Sequence, residues 1–214
     1  MAELLVVIGA GGFGRETADV VEAINRSAPQ PQWLLQGVVD DSPSATNLAR
    51  LTARGIAHLG SVDDLIAGDE RPQYVVGIGS PRIRRILADK LDAAGFNAAT
   101  LVHPDASVGS QCTLGEGTII LAGARVTTNV HLGRHVHLNP NVTVGHDTVL
   151  EDFVSMNPAS SVSGDCLVQT GALIGVGAVV LNQLTLGPRA LVGGSACVVT
   201  NVAAEAVVKG VPAR

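Results

Sequence analysis

From Val102 to Val198 an apolar residue returns at every sixth position without a break: Val102, Val108, Leu114, Ile120, Val126, Leu132, Leu138, Val144, Leu150, Met156, Val162, Val168, Ile174, Val180, Leu186, Val192 and Val198. Two residues before each of these seventeen positions the chain is small or β-branched sixteen times. One residue after, glycine stands seven times, at 109, 115, 133, 145, 175, 187 and 193. A period of six fits neither the 3.6 of a helix nor the alternation of a hairpin strand. It fits short strands that turn a corner every six residues and stack as a solenoid, three repeats to a triangular coil. The large residue fills the prism, the small one lines the corner, and glycine is expected to free the backbone for the turn. The span makes five and a fraction coils, each rising roughly 4.8 Å.

The first hundred residues have another rhythm. Leu4–Ile8 is an apolar run of strand length. Gly9-Ala10-Gly11-Gly12-Phe13-Gly14 follows, and then a helical pattern to Asn25, with Phe13, Ala18, Val21 and Ile24 near one face. A glycine turn between strand and helix is the context in which G-x-G-x-x-G lets backbone approach a phosphate at a helix N-terminus. Strands are predicted near Leu34–Val39, Ile56–Leu59 and Tyr74–Ile78, with helices near 43–54, after the capping box at Ser61–Asp64, and from Ser80-Pro81 to Gly95. Alternating strands and helices predict a parallel sheet covered by helices. The fold class is therefore a small Rossmann-like α/β domain, residues 1–101, followed by an all-β parallel β-helix, residues 102–214. Only one βαβ half fits before residue 101, so a mononucleotide end suits the space better than a dinucleotide. Asp40 and Asp41, at a strand's carboxyl end, are candidates to bind ribose or base.

Composition agrees with thin repeated layers: 46% of residues are hydrophobic but only 2% aromatic, so Val, Leu, Ile and Ala must fill the core. The net charge of −5 and scattered basic residues, clustered only at Arg82, Arg84 and Arg85, exclude a nucleic-acid footprint. No positive leader precedes the short apolar run at the N-terminus, which predicts a cytoplasmic protein with no membrane insertion. Cys112 and Cys166 share the small-residue column three coils apart, about 14 Å, beyond the roughly 7 Å limit of a disulfide. They are expected to be packing residues rather than nucleophiles.

Five histidines lie in or beside the repeat: His103, His131, His135, His137 and His146. Stacked zinc ligands would be eighteen residues apart and none of the five has a histidine partner at that spacing, so no metal is expected. His131, His135 and His137 fall at polar positions near corners, and His103 marks the solenoid entry. His146 sits in Val144-Gly145-His146-Asp147, where a neutral imidazole can take a proton and the next carboxylate can favour the imidazolium.

Ile8–Gly14, Gly37-Val-Val-Asp40-Asp41, Gly77-Ile-Gly79-Ser80-Pro81, Val102-His-Pro-Asp-Ala106, Gly145-His146-Asp147 and Gly210-Val-Pro-Ala213 together resemble the bacterial sugar acyltransferases. That family includes sialic acid O-acetyltransferases and the N-acetyltransferases of UDP-4-amino-sugars and GDP-perosamine. The resemblance implies a left-handed β-helix, a homotrimer with sites between neighbouring helices, and acetyl-CoA as co-substrate. His146 is implied as general base with Asp147 beside it, and Asn139 near the acceptor. Gly164, Ser155, Val176 and Gly194 are implied along the acetyl or pantetheine path. Gly11, Gly12, Phe13, Asp40, Asp41 and Gly79 are implied to hold the nucleotide end of the sugar. Two positions depart from the amino-sugar enzymes: Phe13 replaces the histidine of Gly-His-Gly, as in the sialic acid type, and Ser155 replaces a second histidine. The expected activity is acetylation of an amino group on a nucleotide-linked amino-deoxy sugar. The alternatives are O-acetylation of a sugar hydroxyl, or a non-catalytic trimer that senses a nucleotide.

Overall fold

A computed structural model describes residues 2–214, and the chain divides into two compact units, Met1–Leu101 and Val102–Arg214. The first unit contains β1 (Glu3–Ile8), α1 (Gly12–Ser27), β2 (Trp33–Val39), α2 (Ala45–Thr52), α3 (Val62–Ala67), β3 (Gln73–Val76) and α4 (Pro81–Ala93). The three strands form a parallel sheet in the order β2-β1-β3. Chain direction therefore switches sides after β2, which opens a crevice at the carboxyl ends of β1 and β3. Local chemistry sets the helix starts: Ser61 and Asp64 form the expected capping box on α3, and Ser80 caps α4 just before Pro81. The strand expected at 56–59 shrinks to a single bridge, Val38 to His58. Gly60, with φ of 91°, turns the chain into the Ser61 cap before more pairs can form.

The second unit is a parallel β-helix with three faces. Face I runs from Leu101–Val102 through Ile119–Ile120, His137–Leu138, Ser155–Met156, Leu173–Ile174 and Leu191–Val192 to Val207–Val208. Face II includes Arg125–Val126, Thr143–Val144, Ser161–Val162 and Val179–Val180; face III includes His131–Leu132, Val149–Leu150 and Leu167–Val168. Partners are eighteen residues apart, as in His137 with Ser155 and Thr143 with Ser161. The last coil is shorter: Leu191 pairs with Val207, sixteen residues on, so stacking continues past the end of the apolar series at Val198. The inward column from Ile120 to Val198 is almost wholly buried. Each such aliphatic side chain contributes about 1.5–3 kcal/mol. Backbone bonds between coils, such as His137 N–H to the Val154 carbonyl at 3.0 Å, satisfy the strands.

The glycine column works differently from expectation. Left-handed backbone falls two residues later, at Gln111, Asn129, Asn141, Asp147, Asp165 and their equivalents, with φ near 57°. Asn and Asp tolerate that conformation because their short side chains bond locally. The glycines after the apolar column are needed because coils touch there. A Cβ on Gly133 would lie 2.6 Å from the Asp152 amide nitrogen. Gly133→Ala is therefore expected to cost about 1–3 kcal/mol by overpacking, whereas Gln111→Gly, at an exposed left-handed corner, should leave thermal unfolding nearly unchanged.

His135 and His137, expected at polar corner positions, are both buried. His135 stacks on Phe153 one coil away, with ring centroids 5.2 Å apart and planes at 10°. His131 is exposed and bonds the Thr113 hydroxyl. All three cysteines are free thiols. Burial pushes the Cys166 thiol up, and its sulfur donates to the Leu181 carbonyl at 3.2 Å.

Candidate active site

Strand Thr143–Val144 leaves face II at Gly145, and the next two residues form the corner before face III. A Cβ on Gly145 would lie 2.5 Å from the Gly164 nitrogen, so glycine lets this corner rest on the coil above. His146 projects outward with 58% of its side chain exposed, and Asp147 takes φ of 57° beside it. Asp147 Oδ2 lies 2.7 Å from His146 Nδ1, and Asp147 Oδ1 accepts from Asn129 Nδ2 at 2.9 Å. The Asn129 amide, and after it the His146 ring, hold the Asp147 carboxyl below its ordinary value. An ionised carboxylate only accepts, so Nδ1 carries the ring proton and Nε2 offers a lone pair. That lone pair lies over Gly164, where a Cβ would come 2.5 Å from Nε2 and 2.6 Å from Cε1. Gly164 is thus the seat of the ring. The corner can remove a proton from a group approaching Nε2 and hold the resulting cation.

Asp165 also stands near, with one ligand-type atom each from His146, Asp147 and Asp165 within 4.8 Å of one another. All three are exposed, His146 Nδ1 and Asp147 are engaged with each other, and no metal role is assigned to them.

The other expected residues of the β-helix gather at a different edge, where face I turns into face II. Asn139 is buried there and donates from Nδ2 to the Met156 carbonyl at 2.8 Å. Ser155 is buried in face I, paired with His137. Val176 is 55% exposed on the neighbouring coil, and a Cβ on Gly194 would meet its carbonyl oxygen at 3.4 Å. Within one chain, then, Gly164 joins His146 and Asp147, while Asn139, Val176 and Gly194 follow strands of face I at the other edge and Ser155 lies within face I itself.

In the first unit the glycines divide by role. Gly14 and Gly77 pack back to back: a Cβ on Gly77 would lie 2.5 Å from the Gly14 Cα, and one on Gly14 would strike the Gly9 carbonyl oxygen. Around Gly11, Gly12 and Gly79 there is open space at the ends of β1 and β3. Gly11 is the N-cap of α1 and gives it no side-chain cap; Phe13 follows in the first turn, half-buried. Asp40 binds the glycine turn, accepting from Ala10 N–H at 2.7 Å and Ser42 N–H at 2.9 Å. Asp41 accepts from Val62 N–H at 2.7 Å, which steadies the start of α3. Two contributors escaped the motifs. Arg15 donates to the Ala10 carbonyl and to Asn47 Oδ1, and Asn129 stands eighteen residues before Asp147, a spacing visible in the sequence.

An exposed His–Asp corner on a left-handed β-helix, with an open glycine turn in a separate α/β unit, defines a hexapeptide-repeat acyltransferase. Residues 4–91 match the PglD N-terminal domain family. The GDP-perosamine N-acetyltransferase of Escherichia coli O157:H7 is 30% identical over 174 residues, covering 81% of this chain and 76% of that one. Among solved structures, the acetyltransferase domain of PglB from Neisseria gonorrhoeae FA1090 in complex with acetyl coenzyme A aligns with a TM-score of 0.84 at 28% identity, covering 100% of this chain and 99% of that one. PerB from Caulobacter crescentus, in complex with CoA and GDP-perosamine, aligns with a TM-score of 0.83 at 28% identity, covering 98% and 95%. The chain belongs to this family of sugar N-acetyltransferases.

Proposed function

We propose that the protein transfers the acetyl group of acetyl-CoA to the amino group of a nucleotide-linked amino-deoxy sugar. The observation that carries this is the His146 ring, held by Asp147 with Nε2 presented over Gly164. The neutral amine attacks the thioester carbonyl while Nε2 takes its proton, forming the C–N bond. The tetrahedral intermediate then collapses, the C–S bond breaks, and the imidazolium returns the proton to the leaving CoA sulfur. Asp147 stabilises the imidazolium in between. Direct transfer needs both substrates bound together, so no acyl-cysteine is formed; the raised Cys166 thiol agrees with this.

The separation of His146 from Asn139, Ser155, Val176 and Gly194 supports a site shared between chains. One chain's catalytic corner would meet the neighbouring chain's other edge, as in a homotrimer. Light scattering should give a trimer mass, and a monomer with full turnover would overturn the shared site. Acetyl-CoA and nucleotide sugars are cytoplasmic pools, and the cytoplasm is the proposed location. Among the described residues no helix is long and apolar enough to cross a membrane.

The open crevice at Gly11, Gly12 and Gly79 is the proposed seat of the nucleotide, with Phe13, Asp40 and Asp41 around it. Gly12→Val should raise KM for the nucleotide sugar about tenfold, the equivalent of about 1.4 kcal/mol of lost binding. Thermal stability should hold, because a Cβ at Gly12 meets nothing within 4 Å. An unchanged KM would remove the crevice from the site. Phe13 and the run Gly77-Ile-Gly79-Ser80-Pro81 are closer to the sialic acid O-acetyltransferase type, so the acceptor panel should include sialic acid.

A further inference from the structure

We propose that Asn129 is a positioning residue for His146, acting through Asp147; this rests on the catalytic role given to His146 above. Asn129 and Asp147 occupy the same left-handed corner of successive coils, each with φ of 57°, and Asp165 follows one coil further. Their backbones are fixed by a ladder: Asn129 N–H to the Ser110 carbonyl at 3.0 Å, Asp147 N–H to Thr128 at 3.1 Å, and Asp165 N–H to His146 at 2.9 Å. The side chains therefore rise from a rigid edge rather than a mobile loop.

The Asp147 carboxylate is held at both oxygens, by Asn129 Nδ2 at 2.9 Å and His146 Nδ1 at 2.7 Å. Two anchors fix the plane of the carboxylate, and that plane fixes the ring. An amide suits the lower position because it donates without charge. A lysine would compete with His146 for the carboxylate, and an aspartate would repel it. The charged or titratable groups facing Asp147 here are His146 and Asp165, so the neutral donor at 129 offsets a carboxylate neighbour on the other side. Without Asn129, Asp147 can turn to solvent. The ring then loses the acceptor that keeps its proton on Nδ1 and its lone pair on Nε2.

Two variants of the full chain separate this role from corner filling. Asn129→Gly keeps the left-handed backbone without strain and removes the donor. Asn129→Asp keeps the shape and replaces the donor by a repelling acceptor. If Asn129 positions the ring, nitrogen NMR of the His146 imidazole should show an Nδ1-protonated tautomer in the parent and a mixture in Asn129→Gly. kcat should fall about tenfold in Asn129→Gly, and further in Asn129→Asp, with KM for both substrates unchanged. A purely structural residue would give the reverse order, since aspartate fills the corner better than glycine. An unchanged tautomer in both variants, or activity in Asn129→Asp equal to or above that of Asn129→Gly, would overturn the proposal. Absence of acetyl transfer by the parent protein would sink the catalytic role of His146, but the tautomer measurement would still decide whether Asn129 orients the ring.

Discussion

His146→Ala is expected to lower kcat for acetyl transfer by about 10²- to 10⁴-fold, the usual contribution of a positioned general base. The side chain is largely exposed at the corner and fills no part of the prism. Removing it deletes the proton acceptor and leaves the inward column from Ile120 to Val198 untouched. Circular dichroism and the thermal midpoint should match the parent protein, and binding of acetyl-CoA should persist. A variant with near-normal turnover would mean that another group takes the proton.

Gly164→Ala is expected to reduce kcat about 10²-fold by misplacing a reacting group that the fold otherwise holds. The new methyl group would sit 2.5 Å from His146 Nε2 and 3.0 Å from Cδ2, so the ring must move. It is the end of a flexible, exposed side chain, so it moves without disturbing the backbone. Movement breaks its 2.7 Å bond to Asp147. The signature is lost turnover with preserved stability, the reverse of Gly133→Ala, whose methyl group meets backbone. Steady-state kinetics and thermal unfolding of the two variants side by side separate these outcomes.

The β-helix was legible because its period repeats the same physical demand: one aliphatic residue per six must enter the prism, and Ile120 through Val198 do so. The corners were less legible. The glycines at 133 and 145 looked like turn residues, yet they relieve crowding between coils, and the turn itself falls on Asn129, Asp147 and Asp165. Sequence patterns mark that a side chain is missing without saying whether conformation or space requires it. His135 and His137 fall at polar positions of the repeat near corners, yet both are buried, and the ring of Phe153, one coil from His135, shows how a corner can be covered.

In the first unit the glycine motif located the turn but did not separate packing from access. Gly14 and Gly77 are packed, while Gly11, Gly12 and Gly79 are open. Asp40 and Asp41 stand where ligand contacts are expected, at a strand's carboxyl end, and their carboxylates hold backbone N–H groups of the glycine turn and of α3. The pair His146-Asp147 was visible as neighbours in the chain. Asn129 became visible only through the eighteen-residue stacking that places it against Asp147.

The most direct test is mass analysis of products after the purified protein is given acetyl-CoA with a nucleotide-linked 4-amino-sugar, and separately with sialic acid. N-acetyl transfer at His146 adds one acetyl group as an amide to the amino-sugar, none to sialic acid, and none with His146→Ala. Acetylation of sialic acid hydroxyls alone, or no transfer to any amine, would contradict it.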